Sequence, residues 1–282
     1  VRGSTPCQGA EVARYGGNTS CVSVAVPGHD PLMFDLGTGA RYFGQAWPDD
    51  VPFRGTCLLS HAHWDHIQGL PFFPPILRAD GSRLDVYAPD QVPDHTHPSL
   101  GADEAPMSVG DVVSTMLRPP LFPVGLDAFP GEVAFHSVGE GEFMLGEIRV
   151  VARFIPHIGP TLGYRVEWGG RSVAYLSDHQ QPAEGFAVTD GVRELCSGVD
   201  LLIHDAQYTP AEFARRSTWG HSTVEYAVWV ASECGVRTLA LYHHDPTHTD
   251  DQIDRFVAAA GLCSPDVAVV GAREGLTLTP GA

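Results

Sequence analysis

The feature that most constrains this chain is a cluster of four candidate metal ligands within six residues, His61-Ala62-His63-Trp64-Asp65-His66. It directly follows the apolar run Cys57-Leu58-Leu59-Ser60. In an extended segment alternate side chains share a face, so His61 and His63 can converge on one cation. Asp65 and His66 follow where a helix could start, and adjacent side chains point apart there. The cluster can therefore serve two metal centres and predicts a strand that ends in a ligand-bearing loop.

The types of ligand in the cluster indicate the kind of metal site. Neutral imidazole and carboxylate suit zinc, manganese or iron, with bond lengths of about 2.0 to 2.2 Å. No cysteine joins the cluster, which argues against a closed structural zinc site and for an open, water-bearing one. The alternative is a chance grouping among the 14 histidines of the chain, and the tight spacing disfavours it.

Further landmarks follow in a fixed order along nearly the whole chain. Besides the cluster, the landmarks are Asp35-Leu36-Gly37-Thr38-Gly39, Pro156-His157, Leu176-Ser177-Asp178, Gly220-His221-Ser222-Thr223 and Leu241-Tyr242-His243-His244. With these landmarks the chain resembles the metallo-β-lactamase superfamily of two-metal hydrolases, in its RNase Z and phosphodiesterase branch. The resemblance implies an α/β fold, the four-layer αββα sandwich of two mixed β-sheets flanked by helices.

The resemblance also implies which distant residues complete the two metal sites. His157 joins His61 and His63 on the first metal, and His243 joins Asp65 and His66 on the second. Asp178, at the end of an apolar strand, bridges both ions. A bridging carboxylate holds two cations at the separation of about 3.5–4 Å that shared activation of one water requires. His244 is the alternative to His243, because both follow the same strand.

Three other polar residues have expected roles near this site. By the same resemblance His221 faces a substrate phosphate and assists the leaving oxygen, although its segment could be only a helix cap. We expect His204 to orient a ligand or to satisfy a buried strand end. Asp35 is expected to act similarly beneath the ligand loop. His179, next to Asp178, has no assigned role.

Composition limits the partners of the chain. The 282 residues include 17 arginines, no lysine and 34 acidic residues, for a net charge of −17. Lysine-based Schiff-base and P-loop chemistry are excluded, and binding to nucleic-acid phosphates is disfavoured. We expect a small anionic substrate, drawn by the metals. A homodimer is left open by the resemblance.

The cysteines and the apolar runs indicate the cellular compartment of the protein. Six cysteines are scattered without motif spacing, as expected of reduced thiols in a cytoplasmic protein. No apolar run reaches the roughly 20 residues needed to span a bilayer, and no signal-peptide pattern stands at the amino terminus. We therefore expect a cytoplasmic protein without a membrane anchor.

Alternating apolar segments and Gly- or Pro-rich turns predict mixed α and β structure in a single domain over residues 1–282. An irregular, proline-rich insertion or lid is expected at about 89–130, and His95 and His97 within it have ligand-like spacing. Helices are predicted at about Ser108–Leu117, Thr223–Cys234 and Asp250–Ala260. The predicted strands are Cys21–Val26, Leu32–Asp35, Cys57–Ser60, Leu84–Tyr87, Val133–Val138, Ile148–Phe154, Leu162–Trp168, Ser172–Leu176, Leu201–His204, Thr238–Tyr242 and Val267–Val270.

Together these observations favour a dinuclear phosphodiesterase acting on a small phosphodiester or cyclic nucleotide, with Asp65 and His221 as catalytic groups. Two metals, zinc above all, with manganese or iron as alternatives, would activate a water for attack on phosphorus. One alternative is a tRNA 3′-end processing endonuclease, which the acidic charge disfavours. Another is a carbon ester, lactone or amide hydrolase, because the same chemistry can attack a carbonyl. A noncatalytic metal-binding or redox module is the least favoured, since no ligand of the pattern is missing.

Overall fold

The computed structural model describes residues 1–91 and 106–281, and the predicted ligands His95 and His97 lie outside the described residues. The chain divides into two compact units. The smaller unit is Ser20–Gly139, and the larger unit combines Val1–Thr19 with Glu140–Ala282. Each has its own sheet and hydrophobic core.

The smaller unit contains a five-stranded mixed sheet in the order β1-β2-β3-β4-β5. The first pair is antiparallel and the other three pairs are parallel. Its strands are β1 (Val22–Val24), β2 (Leu32–Phe34), β3 (Arg54–Leu58), β4 (Arg83–Ala88) and β5 (Glu132–Ser137). Its helices are α1 (Gly39–Gln45), the short α2 (Trp64–Ile67) and α3 (Val109–Met116).

The core of the smaller unit explains why these segments take up regular structure. Phe53, Phe73 and Leu84 are fully buried in it, and the ring centroids of Phe53 and Phe73 lie 5.1 Å apart in an edge-to-face arrangement. Such aromatic pairs add to the stabilisation that burial of apolar surface provides. In β4 buried and half-buried residues alternate, as expected of a strand with one face on a core.

The larger unit contains a seven-stranded mixed sheet in the order β12-β11-β10-β9-β8-β7-β6. Strands β9 to β12 are parallel, and β6 to β9 pair antiparallel. The strands are β6 (Gly141–Leu145), β7 (Ile148–Phe154), β8 (Leu162–Trp168), β9 (Arg171–Leu176), β10 (Leu201–Asp205), β11 (Thr238–Tyr242) and β12 (Ala268–Gly271). The helices are α4 (Asp190–Cys196), α5 (Pro210–Arg216), α6 (Val224–Glu233) and α7 (Asp250–Cys263).

The parallel half of this sheet determines where its functional residues can lie. In β10 all five residues are buried, as is usual for a parallel strand covered on both faces. Leu176 pairs with His204, and His204 pairs with Leu241, so β9, β10 and β11 end at the same level. Residues that follow these three strands therefore meet at one edge of the sheet.

The predicted elements are confirmed in most places. Each predicted strand overlaps an observed one, and the three predicted helices correspond to α3, α6 and α7. Thr223 and Thr249 cap α6 and α7 with their side chains. The sequence missed β6, whose residues alternate between half-buried and exposed, and the seven-residue helices α1, α4 and α5.

Two further predictions concern the insertion at about 89–130 and membrane-spanning segments. Residues 92–105 of the expected insertion at about 89–130 lie outside the described part, whereas its second half contains α3. Among the helices of the described residues, none combines the length and apolar character needed to cross a bilayer.

Candidate metal centre

In the smaller unit the ligand cluster lies directly after β3, as predicted. His63 retains an extended backbone, with φ −63° and ψ 151°, and caps the start of α2. The four-residue α2 contains Asp65 and His66. The change from extended to helical backbone turns the second pair of ligands away from the first, which is the geometry that two separate metal sites require.

Distances within this cluster fit ligands that share a cation. His61 Nε2 lies 2.8 Å from His63 Nδ1, and Asp65 Oδ2 lies 3.3 Å from His66 Nε2. Two ligands bound at about 2.1 Å with tetrahedral angles are about 3.4 Å apart. His61 and His66 are buried and Asp65 is only 6% exposed, whereas His63 is exposed, so the second pair lies away from bulk water and the first pair opens to solvent at His63.

Asp35 orients two of these imidazoles from beneath, as expected from the sequence. Its Oδ2 accepts a hydrogen bond from His66 Nδ1 at 2.7 Å and another from the Ser60 hydroxyl at 3.0 Å. The Ser60 oxygen lies 2.9 Å from His61 Nδ1. Because the Nδ1 atoms are engaged in these contacts, Nε2 is the nitrogen that both His61 and His66 could offer to a metal.

In the larger unit Asp178 lies between two histidines. His157 Nε2 is 3.6 Å from Asp178 Oδ2, and His243 Nε2 is 3.3 Å from Asp178 Oδ1. Side chains of all three are at most 2% exposed. Each carboxylate oxygen thus faces a different imidazole, which is the arrangement expected of a carboxylate that bridges two cations.

Hydrogen bonds fix the orientation of both histidines. His157 Nδ1 donates to the carbonyl of Gly220 at 2.7 Å, and His243 Nδ1 donates to Gln207 Oε1 at 2.8 Å. These bonds place the lone pair on Nε2, on the side of Asp178. His243 also has a left-handed backbone, φ 56°, which is rare for a residue other than glycine and is concentrated at functional sites.

The two candidates that follow β11 have different environments. His244 is buried, and its Nε2 donates to the carbonyl of Ala272 at 3.2 Å, while its ring packs edge-on against Tyr15. Burial lowers the pKa of His244 well below its ordinary value. Of the two, His243 is the one that faces Asp178, so the geometry favours it over the alternative.

His221 belongs to the same cluster. Ligand atoms of Asp178, His221 and His243 all lie within 4.8 Å of one another. The His221 ring stacks on that of His243 with centroids 5.0 Å apart, and His221 Nδ1 lies 3.9 Å from Asp178 Oδ2. The segment is a helix cap as well, because the Thr223 side chain accepts from the Tyr226 amide.

Asp205 is the functional residue that sequence reasoning missed. Its Oδ2 accepts from His221 Nδ1 at 2.7 Å, and its Oδ1 accepts from the amides of Gln207 and Ser222 at 2.9 and 3.2 Å. Asp205 is fully buried. The signal that could have identified it is its place at the end of β10, next to the strand that Asp178 follows.

His204 and His179 form a buried pair of neutral imidazoles. His204 Nδ1 donates to the carbonyl of Asp205 at 2.7 Å, and His179 Nδ1 lies 2.8 Å from His204 Nε2. Burial lowers the pKa of both rings. His204 therefore satisfies a backbone carbonyl at a buried strand end, which is one of its two expected roles. Its Nε2 accepts a hydrogen bond from His179 Nδ1, which holds the His179 ring in a fixed position.

Clusters of histidine and aspartate in the described residues are consistent with a dinuclear metal site. The donor set consists of imidazole nitrogens and carboxylate oxygens, with most of its members buried. Such ligands fit zinc, manganese or iron. The residues present therefore fit two divalent metals.

Comparison with known proteins places this site in a family. The model of the β-lactamase superfamily domain matches residues 34–244. Ribonuclease Z of Synechococcus sp. (strain WH7803) is 26% identical over 281 aligned residues, covering 82% of this chain and 81% of that protein.

Solved structures share the fold. The metallo-β-lactamase fold protein YhfI of Bacillus subtilis superposes with a TM-score of 0.67 at 18% identity, over 98% of this chain and 94% of that one. A diphosphatase from the PhnP family gives a TM-score of 0.63 at 19% identity, over 93% of this chain and 84% of that one. The predicted fold class, with two mixed sheets and flanking helices, is thereby confirmed. The chain therefore belongs to the metallo-β-lactamase superfamily, as a metal-binding hydrolase related to ribonuclease Z.

Proposed function

We propose that this protein is a dinuclear metal-dependent phosphodiesterase that hydrolyses a small phosphodiester or a cyclic nucleotide. One observation carries the proposal: Asp178 presents one oxygen to His157 and the other to His243, and His221, held by Asp205, lies beside it. This constellation combines a bridging carboxylate with a positioned proton donor. Both are needed to cleave a phosphate ester whose leaving group is an alcohol.

The proposed ligands follow the family pattern. His61, His63 and His157 are assigned to one ion, Asp65, His66 and His243 to the other, and Asp178 to both. When bound, zinc, manganese or iron would lower the pKa of a water and balance the charge that develops on the phosphoryl oxygens. The hydrogen bonds of Asp35, Gln207 and the Gly220 carbonyl keep the imidazole lone pairs aimed at the ions.

The protein groups then have separate tasks. Asp65, at the start of the short helix α2, orients the attacking water and accepts its proton. His221 Nδ1 donates to Asp205, so Nε2 is the atom that delivers a proton to the leaving oxygen. Buried Asp205 carries a negative charge against this ring, which stabilises the imidazolium that precedes proton transfer.

Phosphorus is favoured over a carbonyl carbon by the arrangement around His221. An alkoxide leaving group needs a proton, and His221 is fixed by Asp205 beside the bridging carboxylate to supply it. The solved structure of a PhnP-family diphosphatase has the same fold, which is compatible with a phosphate substrate. Hydrolysis of carbon esters, lactones or amides is the alternative, and it is tested by offering the protein these substrates beside phosphodiesters.

A second candidate function is tRNA 3′-end processing. Its support is the 26% identity to the ribonuclease Z of Synechococcus over most of both chains. The net charge of −17 and the absence of lysine weigh against it, since phosphate contacts from basic residues supply most of the affinity for RNA.

The proposal is tested by replacing Asp178. In Asp178→Asn the shape is kept and the bridging charge is lost, so we expect metal content to fall from about two ions per chain to one or none. Hydrolysis of bis-p-nitrophenyl phosphate and cyclic nucleotides should be abolished. Metal is measured by mass spectrometry and folding by circular dichroism.

The control is Asp200→Asn. Asp200 is also a buried carboxylate, but it precedes β10 and accepts from Ser172. It should keep both metals and full activity. Full activity of Asp178→Asn, or a two-metal wild-type protein that cleaves lactones but no phosphodiester, would reject the proposed function.

A further inference from the structure

Trp219 is a large, solvent-exposed aromatic side chain close in sequence to residues of the candidate metal centre. It is 58% exposed, and it stands two residues before His221. Burial of a tryptophan normally contributes strongly to stability, so an exposed one next to functional groups indicates a binding role. Ile158, which follows His157, is also 40% exposed. Two exposed apolar side chains thus lie in sequence next to two histidines of the cluster.

The backbone fixes how near Trp219 is to those histidines. Gly220 accepts the hydrogen bond of His157 Nδ1, and a Cβ built on Gly220 would lie 2.5 Å from the His157 ring. Trp219 is therefore one peptide unit away from a residue that packs directly on His157. Its Cα is also at most about 7 Å from that of His221, which is the reach of two residues of extended chain.

The indole is held in place on one side. The guanidinium carbon of Arg216 lies 5.3 Å from the Trp219 ring centroid and 5.3 Å from that of Tyr208. Arg216 Nη1 donates to Asp245 Oδ2 at 2.9 Å, and the Trp219 amide donates to the Arg216 carbonyl at 2.9 Å. Since one face of the indole is covered by the guanidinium, its exposed surface is the opposite face.

These observations favour an aromatic group, not an anionic one, as the part of the ligand that contacts Trp219. The charge of Arg216 is already paired with Asp245, so this arginine is not the phosphate ligand. The net charge of −17 opposes polyanions but does not oppose a neutral heterocycle. A single rigid indole face matches the area of one base, and it is far smaller than a protein interface.

We propose that Trp219 is the platform on which the base of a nucleotide substrate stacks, with Arg216 as the residue that positions the indole. The inference rests on the proposed function and adds to it that the substrate is a nucleotide. Trp219 binds the base while His221 acts on the phosphate ester. Because stacking is similar for all bases, Trp219 selects for a base without distinguishing strongly among them.

Calorimetric binding to the metal-loaded protein tests the platform directly. The probes are 5′-AMP and ribose 5-phosphate, which lacks the base. We expect Trp219→Ala to weaken 5′-AMP binding about 10-fold or more and to leave ribose 5-phosphate unchanged. Trp219→Phe, which keeps an aromatic face, should stay within about threefold of wild type. Trp219→Leu, which keeps apolar bulk only, should behave like Trp219→Ala.

The control variant is Tyr42→Ala. Tyr42 is 55% exposed and has Arg41 over its ring at 5.9 Å, so it matches the aromatic and arginine pair without belonging to a ligand motif. It should bind both probes as wild type does. Equal weakening of both probes in Trp219→Leu, or wild-type affinity for 5′-AMP in Trp219→Ala and Trp219→Leu, would overturn the proposal.

Turnover separates this inference from the proposed function. With cyclic AMP, Trp219→Ala should raise KM about 10-fold with kcat within about threefold of wild type, because the platform binds ground state and transition state alike. If the wild-type protein hydrolyses no phosphodiester, the proposed function fails. The difference between 5′-AMP and ribose 5-phosphate in the Trp219 variants would still support or overturn the platform.

Discussion

At the level of single residues, hydrogen bonds to ring nitrogens determine what each histidine can do. Nδ1 of His66, His157 and His243 is bound by Asp35, the Gly220 carbonyl and Gln207, which directs Nε2 to the proposed ions. His221 has the same kind of bond, to Asp205, but its proposed role is proton transfer. One chemical group therefore serves as a ligand or as an acid according to its surroundings.

The pairing of His221 with Asp205 leads to a prediction for Asp205→Asn. The amide cannot stabilise an imidazolium, so kcat for a phosphodiester with an alkyl leaving group should fall about 10²-fold or more. The loss should be smaller for a 4-nitrophenyl ester, whose leaving group needs no proton. Steady-state kinetics with both ester types measures the difference.

The control for this variant is Asp200→Asn, which removes a buried carboxylate from the opposite end of β10. It should retain wild-type kcat with both esters. A loss in Asp205→Asn that is equal for the two leaving groups would contradict proton donation by His221 and would indicate a role of Asp205 in metal retention.

At the level of elements, strand ends and the loops that follow them carry the site, while helices and strand faces carry stability. The loop before α6 shows how closely the two functions are joined. Gly220 has φ +90°, which side-chain-bearing residues rarely adopt, and it packs on the His157 ring. The loop therefore requires glycine at this point for two independent reasons.

Gly220→Ala should displace His157. A Cβ would lie 2.5 Å from its ring, so we expect metal content and phosphodiesterase activity to fall together. Gly185→Ala is the matched control, because Gly185 also has a positive φ, 69°, but open space where the added methyl group would stand. Both should lose about 1 kcal/mol of stability from backbone strain, measured by urea unfolding. Normal metal content in Gly220→Ala would show that His157 tolerates the displacement.

On β4, Asp85 predicts a pH dependence of stability. Its carboxylate accepts from Arg83 Nε and Nη2 at 2.8 and 2.7 Å and lies 2.6 Å from His136 Nε2. The Arg83 hydrogen bonds, and then His136, lower the pKa of Asp85 below its ordinary value of 3.8. A carboxylate with a lowered folded-state pKa stabilises the fold above its unfolded pKa and loses that contribution as pH falls through the folded value.

Asp85→Asn should therefore lower the free energy of unfolding by up to about 1 kcal/mol at pH 7. The difference from wild type should shrink below about pH 4, where the wild-type carboxyl begins to be protonated. Urea titrations at several pH values measure it. Asp49→Asn, at a fully exposed carboxylate, should change stability by less than about 0.5 kcal/mol. If the difference in the free energy of unfolding between wild type and Asp85→Asn grew as the pH fell, the prediction would be contradicted.

At the level of the whole molecule, the charge balance decides between substrates that the site itself would accept. A chain with 34 acidic residues and 17 arginines lacks the excess of basic groups that long nucleic acids require. In the proposed reaction the functional groups act on one phosphate, whereas binding to tRNA depends on many phosphates. The proposed site chemistry would suit either a small phosphodiester or tRNA, and the charge of the whole chain favours the small phosphodiester.

The protein should consequently bind tRNA weakly. In a filter-binding assay at about 0.15 M salt we expect no saturation below about 10 μM tRNA, the range of non-specific binding. A ribonuclease Z measured in parallel is the positive control. Tight, saturable binding at the same salt concentration, with cleavage at the 3′ end, would replace the phosphodiesterase proposal by tRNA processing.

The predictions from sequence succeeded where the evidence is local. The correctly predicted features are the ligand cluster after β3, the strands formed by short apolar runs and the capped helices α6 and α7. Each of them depends on residues within a few positions of one another. Backbone geometry over such distances is set by local sterics and capping. The short helices α1, α4 and α5 were missed because seven residues show too little periodicity to distinguish a helix from a loop.

By itself the sequence determined the ligand types, the family and the order of the strands along the chain. Only the tertiary structure decided that Asp178 has His157 on one oxygen and His243 on the other, and that His221 is held by Asp205. These residues are separated by 16 to 86 positions along the chain. Asp178, Asp205 and His243 meet because β9, β10 and β11 are parallel and in register, so the carboxyl ends of these strands share one edge. That register depends on packing of the whole sheet, which no local pattern specifies.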